Sequence, residues 1–318
     1  MTLLYSLLGV LITVGVLIFA TSFICFYMVF YSKKRTLPKD GEYEIPPGRV
    51  YESFRPKIVA WVDMARSLPY ECFEITSDDG LTLRGKYYEY QKGAPTELLF
   101  HGYRGYAERD LSGGIARCHA LGRNALLIDQ RASGTSDGSV ISFGINERRD
   151  CRLWVDWAAK HFGEEVPLYI TGVSMGAATV LLTASEPLPK NVVGALADCP
   201  YSSQKEIICR VIRKMGLPDK LLYPFVKLGA RIYGGFDLEE ISPIEAVKHL
   251  TIPVVFIHGD GDTFVPSEMS EALYEAAVAP QKDLYIIKDA EHGLAFPTDE
   301  DGYIEALCEA QGATRAAN

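Results

Sequence analysis

The stretch TGVSMGAATVL, Thr171 to Leu181, sets Ser174 between Gly172 and Gly176, directly after the apolar run PLYIT and before a run of good helix formers. Strand, tight turn and helix follow from that order. Glycine tolerates the unusual φ values and the close backbone approach that a sharp strand-to-helix turn demands. The same turn places the amide of Met175 at a helix N-terminus, where an unpaired donor is free to face a developing oxyanion. An ordinary connection has a similar composition, so Ser174 is a nucleophile only if the rest of the chain supplies its partners.

A serine hydroxyl is inert near neutral pH until a base takes its proton, and the usual base is an imidazole oriented by a carboxylate. Of six histidines, His292 in KDAEHGLAF lies just beyond the last strand-like run, DLYIIK, in an expected loop. The orienting acid is expected after the preceding strand, where FIHGDGDTFVP offers Asp260 and Asp262. The chain order serine, aspartate, histidine is that of hydrolases built around such a turn.

Around this stretch, strand-like and helix-like segments alternate. YECFEIT and LTLRGKYYEY flank a turn at Ser77 to Gly80, and short apolar runs recur in TELLF, NALLID, VVGALAD and PVVFIH. Helical stretches such as NERRDCRLWVDWAAKHF separate most of them. Buried strands alternating with helices predict an α/β fold with a mostly parallel sheet covered on both faces. Upstream, KIVAWVDMARSL places Ile58, Trp61, Val62, Ala65 and Leu68 at helical spacing, an amphipathic helix packed on the domain.

Four motifs in order resemble the α/β-hydrolase superfamily, in particular microbial serine hydrolases related to the S33 and S9 serine peptidases and the BEM46-like hydrolases. They are HGYRG (His101 to Gly105), DQRASGTSDG (Asp129 to Gly138), GVSMGAA and HGDGDTFVP, spread over most of Tyr70 to Tyr303. The resemblance implies an α/β-hydrolase fold with a small helical lid and a triad of Ser174, Asp262 and His292, favouring Asp262 over Asp260. It assigns the oxyanion hole to the amides of Tyr103 and Met175, although the Tyr103 ring also suits a pocket wall. It gives His101 and His258 architectural roles. Asp129 and Arg131 are expected to form an ion pair that holds their loop.

The N-terminal segment carries no charged side chain from Thr2 to Ser32, longer than the roughly 20 apolar residues that span a bilayer core. Residues 1–32 are therefore expected to be a transmembrane helix, with Phe26, Tyr27, Phe30 and Tyr31 in a headgroup belt. The basic Lys33, Lys34 and Arg35 follow it, which predicts a single-pass membrane protein with its catalytic domain cytoplasmic. Residues 33–54 read as a juxtamembrane linker and residues 55–318 as the hydrolase domain, with a lid at about 201–250.

The net charge of −9 argues against nucleic acid as a partner. Seven scattered cysteines without a C-x-x-C pair fit reduced thiols, and Cys199 reads as a packed thiol; no metal ligand cluster or phosphate loop points to a cofactor. Between Lys205 and Arg231 the lid carries seven basic residues against two acidic ones, interleaved with apolar residues. That suits either a packed lid with a solvated basic face or contact with an anionic leaflet. The expected function is cleavage of carboxylic esters, small or lipid-like acyl substrates, at the membrane. A peptidase, aminopeptidase or amidase of the same fold is the alternative, with Glu147 and Asp150 as candidates for an amino-group site, and a non-catalytic scaffold is the rival of another class.

Overall fold

The computed structural model describes residues 1–312 and 315–316, so 313–314 and 317–318 of the expected hydrolase domain lie outside the described residues. Eight strands form one sheet: β1 (Glu71–Thr76), β2 (Thr82–Tyr88), β3 (Thr96–Phe100), β4 (Asn124–Asp129), β5 (Leu168–Val173), β6 (Val192–Asp198), β7 (Val254–Gly259) and β8 (Lys282–Ile287). Their spatial order is β1-β2-β4-β3-β5-β6-β7-β8. β2 is antiparallel to β1 and β4, and the remaining pairs are parallel.

The helices are α1 (Thr2–Val29), α2 (Arg49–Glu52), α3 (Arg55–Ser67), α4 (Ala107–Ala120), α5 (Glu147–Phe162), α6 (Met175–Ala184), α7 (Gln204–Lys214), α8 (Asp219–Gly229), α9 (Pro243–Ala246), α10 (Glu268–Ala276), α11 (Ala295–Thr298) and α12 (Glu300–Gln311). Side chains of β3 alternate between the two faces, as a strand's period of two requires. Leu98 and Phe100 pack with Trp154 and Val155 of α5, while Leu99 packs with Leu111 and Ile115 of α4. A fully buried leucine contributes about 1.5–3 kcal/mol, so this double-sided strand anchors both layers. The α3 stripe is as expected, with Ile58, Val62 and Ala65 buried.

The lid region holds α7, α8, a π-helical turn at Ala230–Gly234, and α9. It packs on α1 and on α6. α1 is long and apolar enough to cross a membrane. Its first two-thirds are exposed, but Ser22, Phe26 and the following Phe30 are buried. Phe30 packs edge-on against Phe143 at 5.9 Å and Phe236 at 5.2 Å. The expectation of a headgroup belt thus fails for Phe26 and Phe30, because α8 approaches closely at Gly229. A Cβ there would stand 2.4 Å from the Ser22 carbonyl oxygen.

Contacts cross the expected boundaries at 32 and 54. Tyr31 bridges to Val140, the Ser32 amide bonds to Ser139, and the Ile141 amide bonds to Phe30, fixing the chain where it leaves α1. The segment expected as a linker then runs back over the domain, where Glu44 pairs with Arg109 at 3.1 Å and Tyr43 bonds to Asp63 at 2.6 Å.

Candidate active site

Ser174 sits between β5 and α6 with φ +56° and ψ −113°. Such backbone costs about 1–3 kcal/mol and persists only where its surroundings enforce it. The two glycines supply that enforcement. A Cβ on Gly172 would lie 2.1 Å from the Gly176 backbone, and one on Gly176 would lie 2.1 Å from the Phe100 carbonyl oxygen. The Ser174 amide is held by the Asp198 carbonyl at 2.8 Å. Backbone packing therefore fixes where the Ser174 Cα and Cβ stand.

Loops at the carboxyl ends of β7 and β8 bring the other two residues to it. His292 Nε2 lies 2.9 Å from Ser174 Oγ, and its Nδ1 lies 2.6 Å from Asp262 Oδ2. Asp262 Oδ1 accepts the amides of Phe264 and Val265, each at 2.8 Å. Burial acts to raise the pKa of Asp262, but hydrogen bonds from His258, His292 and the Val265 amide outweigh it and hold the carboxyl well below its usual range. Asp262 is thus an anion facing the imidazole.

His258 is fully buried behind this group. Its Nε2 lies 2.9 Å from the Val265 carbonyl and 3.2 Å from Asp262, and its Nδ1 lies 2.6 Å from Ser270 Oγ. It props the loop that carries Asp262. His101 has a similar place on the other side, where its Nε2 accepts the Gln130 amide at 3.0 Å. Asp260 is turned away and accepts the Asp289 amide.

Met175 opens α6, and Tyr103 lies in the turn after β3; among the described residues no backbone carbonyl takes either amide. Gly102 makes room there, its Cβ position being 3.6 Å from Ser174 Cβ. The Tyr103 ring rests on Phe143, and its hydroxyl donates to the Val29 carbonyl at 2.6 Å. Arg104 donates to the Met28 and Tyr31 carbonyls at 2.8 and 3.1 Å. The end of α1 is therefore capped by the HGYRG loop.

Ser174 and His292 open on a cavity of about 460 Å³, within the range of small-molecule sites. Ile58, Trp61, Leu99, Leu111 and Phe296 make much of its wall, and Asp198 with Tyr303 lies on it too. Tyr303 donates to Asp198 at 2.8 Å, which leaves the other carboxylate oxygen without a partner among the described residues. Pro46, Pro47, Val50 and Tyr51, from the segment expected as a linker, also line the cavity. Tyr51 donates to the His292 carbonyl at 2.8 Å, and burial pushes its phenol pKa up. Sequence reasoning missed Tyr51; an aromatic residue three positions beyond a Pro-Pro-Gly turn is a faint signal.

Two other expectations are corrected. Asp129 does not pair with Arg131: it accepts the amides of Ala107 and Thr135, whereas Arg131 grips Asp150 and Asp79. Glu147 is buried, accepting the amides of Ser142 and Gly144. Glu147 and Asp150 are thus absorbed by structure, and neither lines the cavity.

Among the described residues one grouping of metal-ligand atoms occurs, Cys199, Asp262 and His292, within 4.8 Å of one another. The histidine and aspartate are bonded to each other, and burial pushes the Cys199 thiol far up, disfavouring the thiolate a metal requires.

Strand order, elbow and loop placement together define an α/β-hydrolase, a hydrolytic enzyme. No family model matches the chain. An esterase of Pyrococcus furiosus superposes with a TM-score of 0.64 at 26% identity, over 85% of this chain and 100% of that one. The uncharacterized protein YqkD of Bacillus subtilis is 26% identical over 94% of this chain and 96% of its own. A lysophosphatidylserine lipase of Danio rerio, ABHD12, is 25% identical over 59% of this chain and 48% of its own length.

Proposed function

We propose that this chain is a membrane-anchored serine hydrolase that cleaves carboxylic esters through an acyl-enzyme. The observation that carries the reading is the continuous path Ser174, His292, Asp262, with bonds of 2.9 and 2.6 Å, at the mouth of an apolar cavity. Ser174 attacks the carbonyl carbon while His292 Nε2 accepts its proton. Asp262 keeps the other imidazole proton on Nδ1 and stabilises the imidazolium. The amides of Met175 and Tyr103 hold the oxyanion, each worth on the order of 100-fold to 1000-fold in turnover. His292 returns the proton to the leaving alcohol, and water then repeats the sequence to release the acid.

Lipid-like or acylated esters are favoured, because the cavity wall is largely apolar and α1 has the length and composition to cross a membrane. The esterase and lipase named among its relatives point the same way. Aminopeptidase action loses support, since Glu147 and Asp150 are committed elsewhere.

Detergent-solubilised protein treated with a fluorophosphonate probe tests the reading. A single adduct on Ser174, lost in Ser174→Ala, with ester hydrolysis rising with acyl length, is expected. An adduct elsewhere, or none on folded protein, overturns it.

A further inference from the structure

The loop joining α7 to α8 presents a hairpin tip to solvent. From Arg213 to Leu221 every residue except Asp219 is exposed, including Met215, Leu217 and Leu221. These three large apolar side chains sit among Arg213, Lys214 and Lys220. The tip is thus apolar and basic in a chain whose net charge is −9. Arg213 pairs with Asp219, but among the described residues Lys214 and Lys220 have no carboxylate within 4 Å.

The position of the tip matters as much as its chemistry. Lys214 donates to the Thr263 carbonyl and lies over the Phe264 ring, 5.8 Å from its centre. Phe264 is itself exposed and stands edge-on to His292, with ring centres 5.1 Å apart. The tip is therefore continuous with the rim of the catalytic cavity. α1 leaves the domain from the same end of the sheet, since its last carbonyls are held by Tyr103 and Arg104 in the loop after β3.

α1 also limits how far the domain stands from a bilayer. Its exposed part, from Thr2 to about Thr21, is roughly 30 Å long at 1.5 Å per residue, one hydrocarbon core. At that level Tyr233 donates to the Phe19 carbonyl at 3.0 Å and meets the Phe23 ring edge-on at 5.2 Å. The neighbouring Arg231 and Ile232 are exposed. Gly229 and Tyr233 pack on α1 at Ser22 and Phe19, so no free linker separates the span from the lid.

We propose that Met215, Leu217 and Leu221, with Lys214 and Lys220, dip into the anionic leaflet that α1 crosses and hold the cavity rim at the lipid surface. Apolar side chains enter the boundary between headgroups and acyl chains, while the lysines meet lipid phosphates. The proposal rests on reading α1 as a membrane span. It turns the cavity toward ester lipids of the same leaflet, so a substrate moves from bilayer to Ser174 along Phe264 and the tip.

The test uses the full chain in nanodiscs containing phosphatidylglycerol, with ordinary or chain-brominated lipids. Three separate variants, Leu11→Trp in the span, Leu217→Trp at the tip and Tyr70→Trp just before the edge strand β1, are read against the emission of the parent protein. All three replaced residues are exposed, and Leu221→Trp is a second probe of the tip. Loss of most of the added emission in brominated discs for Leu11→Trp and for the tip probes, with none for Tyr70→Trp, is the expected result. Quenching of Leu11→Trp without either tip probe overturns docking while leaving the span intact. Quenching of none removes the span reading and the proposal together. A tip emission that changes with protein concentration and not with bromination assigns the surface to a second copy of the chain and also overturns it.

Discussion

Replacing Asp262 by asparagine removes one negative charge and converts two acceptor oxygens into one acceptor and one donor group. In the folded protein Oδ1 holds the amides of Phe264 and Val265, so the asparagine oxygen keeps that place and its NH2 turns toward His292 Nδ1. The imidazole must then carry its proton on Nε2, which faces Ser174 Oγ at 2.9 Å, and has no lone pair to accept the serine proton. That wrong tautomer lowers kcat by about 10,000-fold, roughly 5 kcal/mol of barrier. The same NH2 also faces His258 Nε2, which lies 2.9 Å from the Val265 carbonyl. Donor against donor in a buried site costs about 1–3 kcal/mol, so Tm falls by several degrees. Saturation kinetics with a p-nitrophenyl ester, alongside thermal unfolding, measures both effects. Asp260→Asn is the control and leaves kcat unchanged. A folded Asp262→Asn protein with kcat within tenfold of the parent refutes the reasoning.

Tyr51→Phe removes one neutral hydrogen bond to the His292 carbonyl, a loss of about 0.5–1.5 kcal/mol. It should lower kcat/KM by roughly twofold to tenfold in steady-state kinetics, with the far-ultraviolet circular dichroism spectrum unchanged. Gly172→Ala forces a Cβ to within 2.1 Å of the Gly176 backbone, which no side-chain movement relieves. Loss of fluorophosphonate labelling at Ser174, together with a lowered Tm, is the expected outcome. Asp262 has a depressed pKa when folded, so its stabilisation is present above its unfolded value of about 4 and is lost as pH falls below that. Denaturant titrations should show Asp262→Ala approaching the parent in stability as pH drops from 6 toward 3, against a constant gap if the aspartate makes no such contribution.

The parts of the molecule that repeat a local pattern were legible in the sequence. β3 to β8 were visible as short apolar runs, β1 and β2 as segments flanking a turn, and the elbow as two glycines flanking Ser174, because period and turn chemistry are encoded within a few residues. Asp262 and His292 could be placed because each follows a recognisable strand. Tyr51 was not legible, since its partner stands 241 positions away and its surroundings have the proline and polar content of a spacer. α1 misled in a related way. A helix that is apolar all round gives no sign of which side chains meet lipid and which meet protein, so Phe26 and Phe30 were assigned to a headgroup belt. Gly229 was the available clue, as the residue that lets α8 lie against Ser22 and Phe26. Asp129 and Arg131 failed for geometric reasons: two residues apart in the chain, they turn to different partners.

The capping of α1 by Tyr103 and Arg104 bears on how a water-soluble form should be cut. Trimming at Lys33, where the apolar segment ends and the expected linker begins, would strip Phe26 and Phe30 from Phe143, Met175 and Phe236, and leave the HGYRG loop without its carbonyl partners. A chain beginning near Phe19 keeps those contacts and discards the fully exposed turns. The frame of the enzyme starts inside the segment that hydropathy assigns to the membrane.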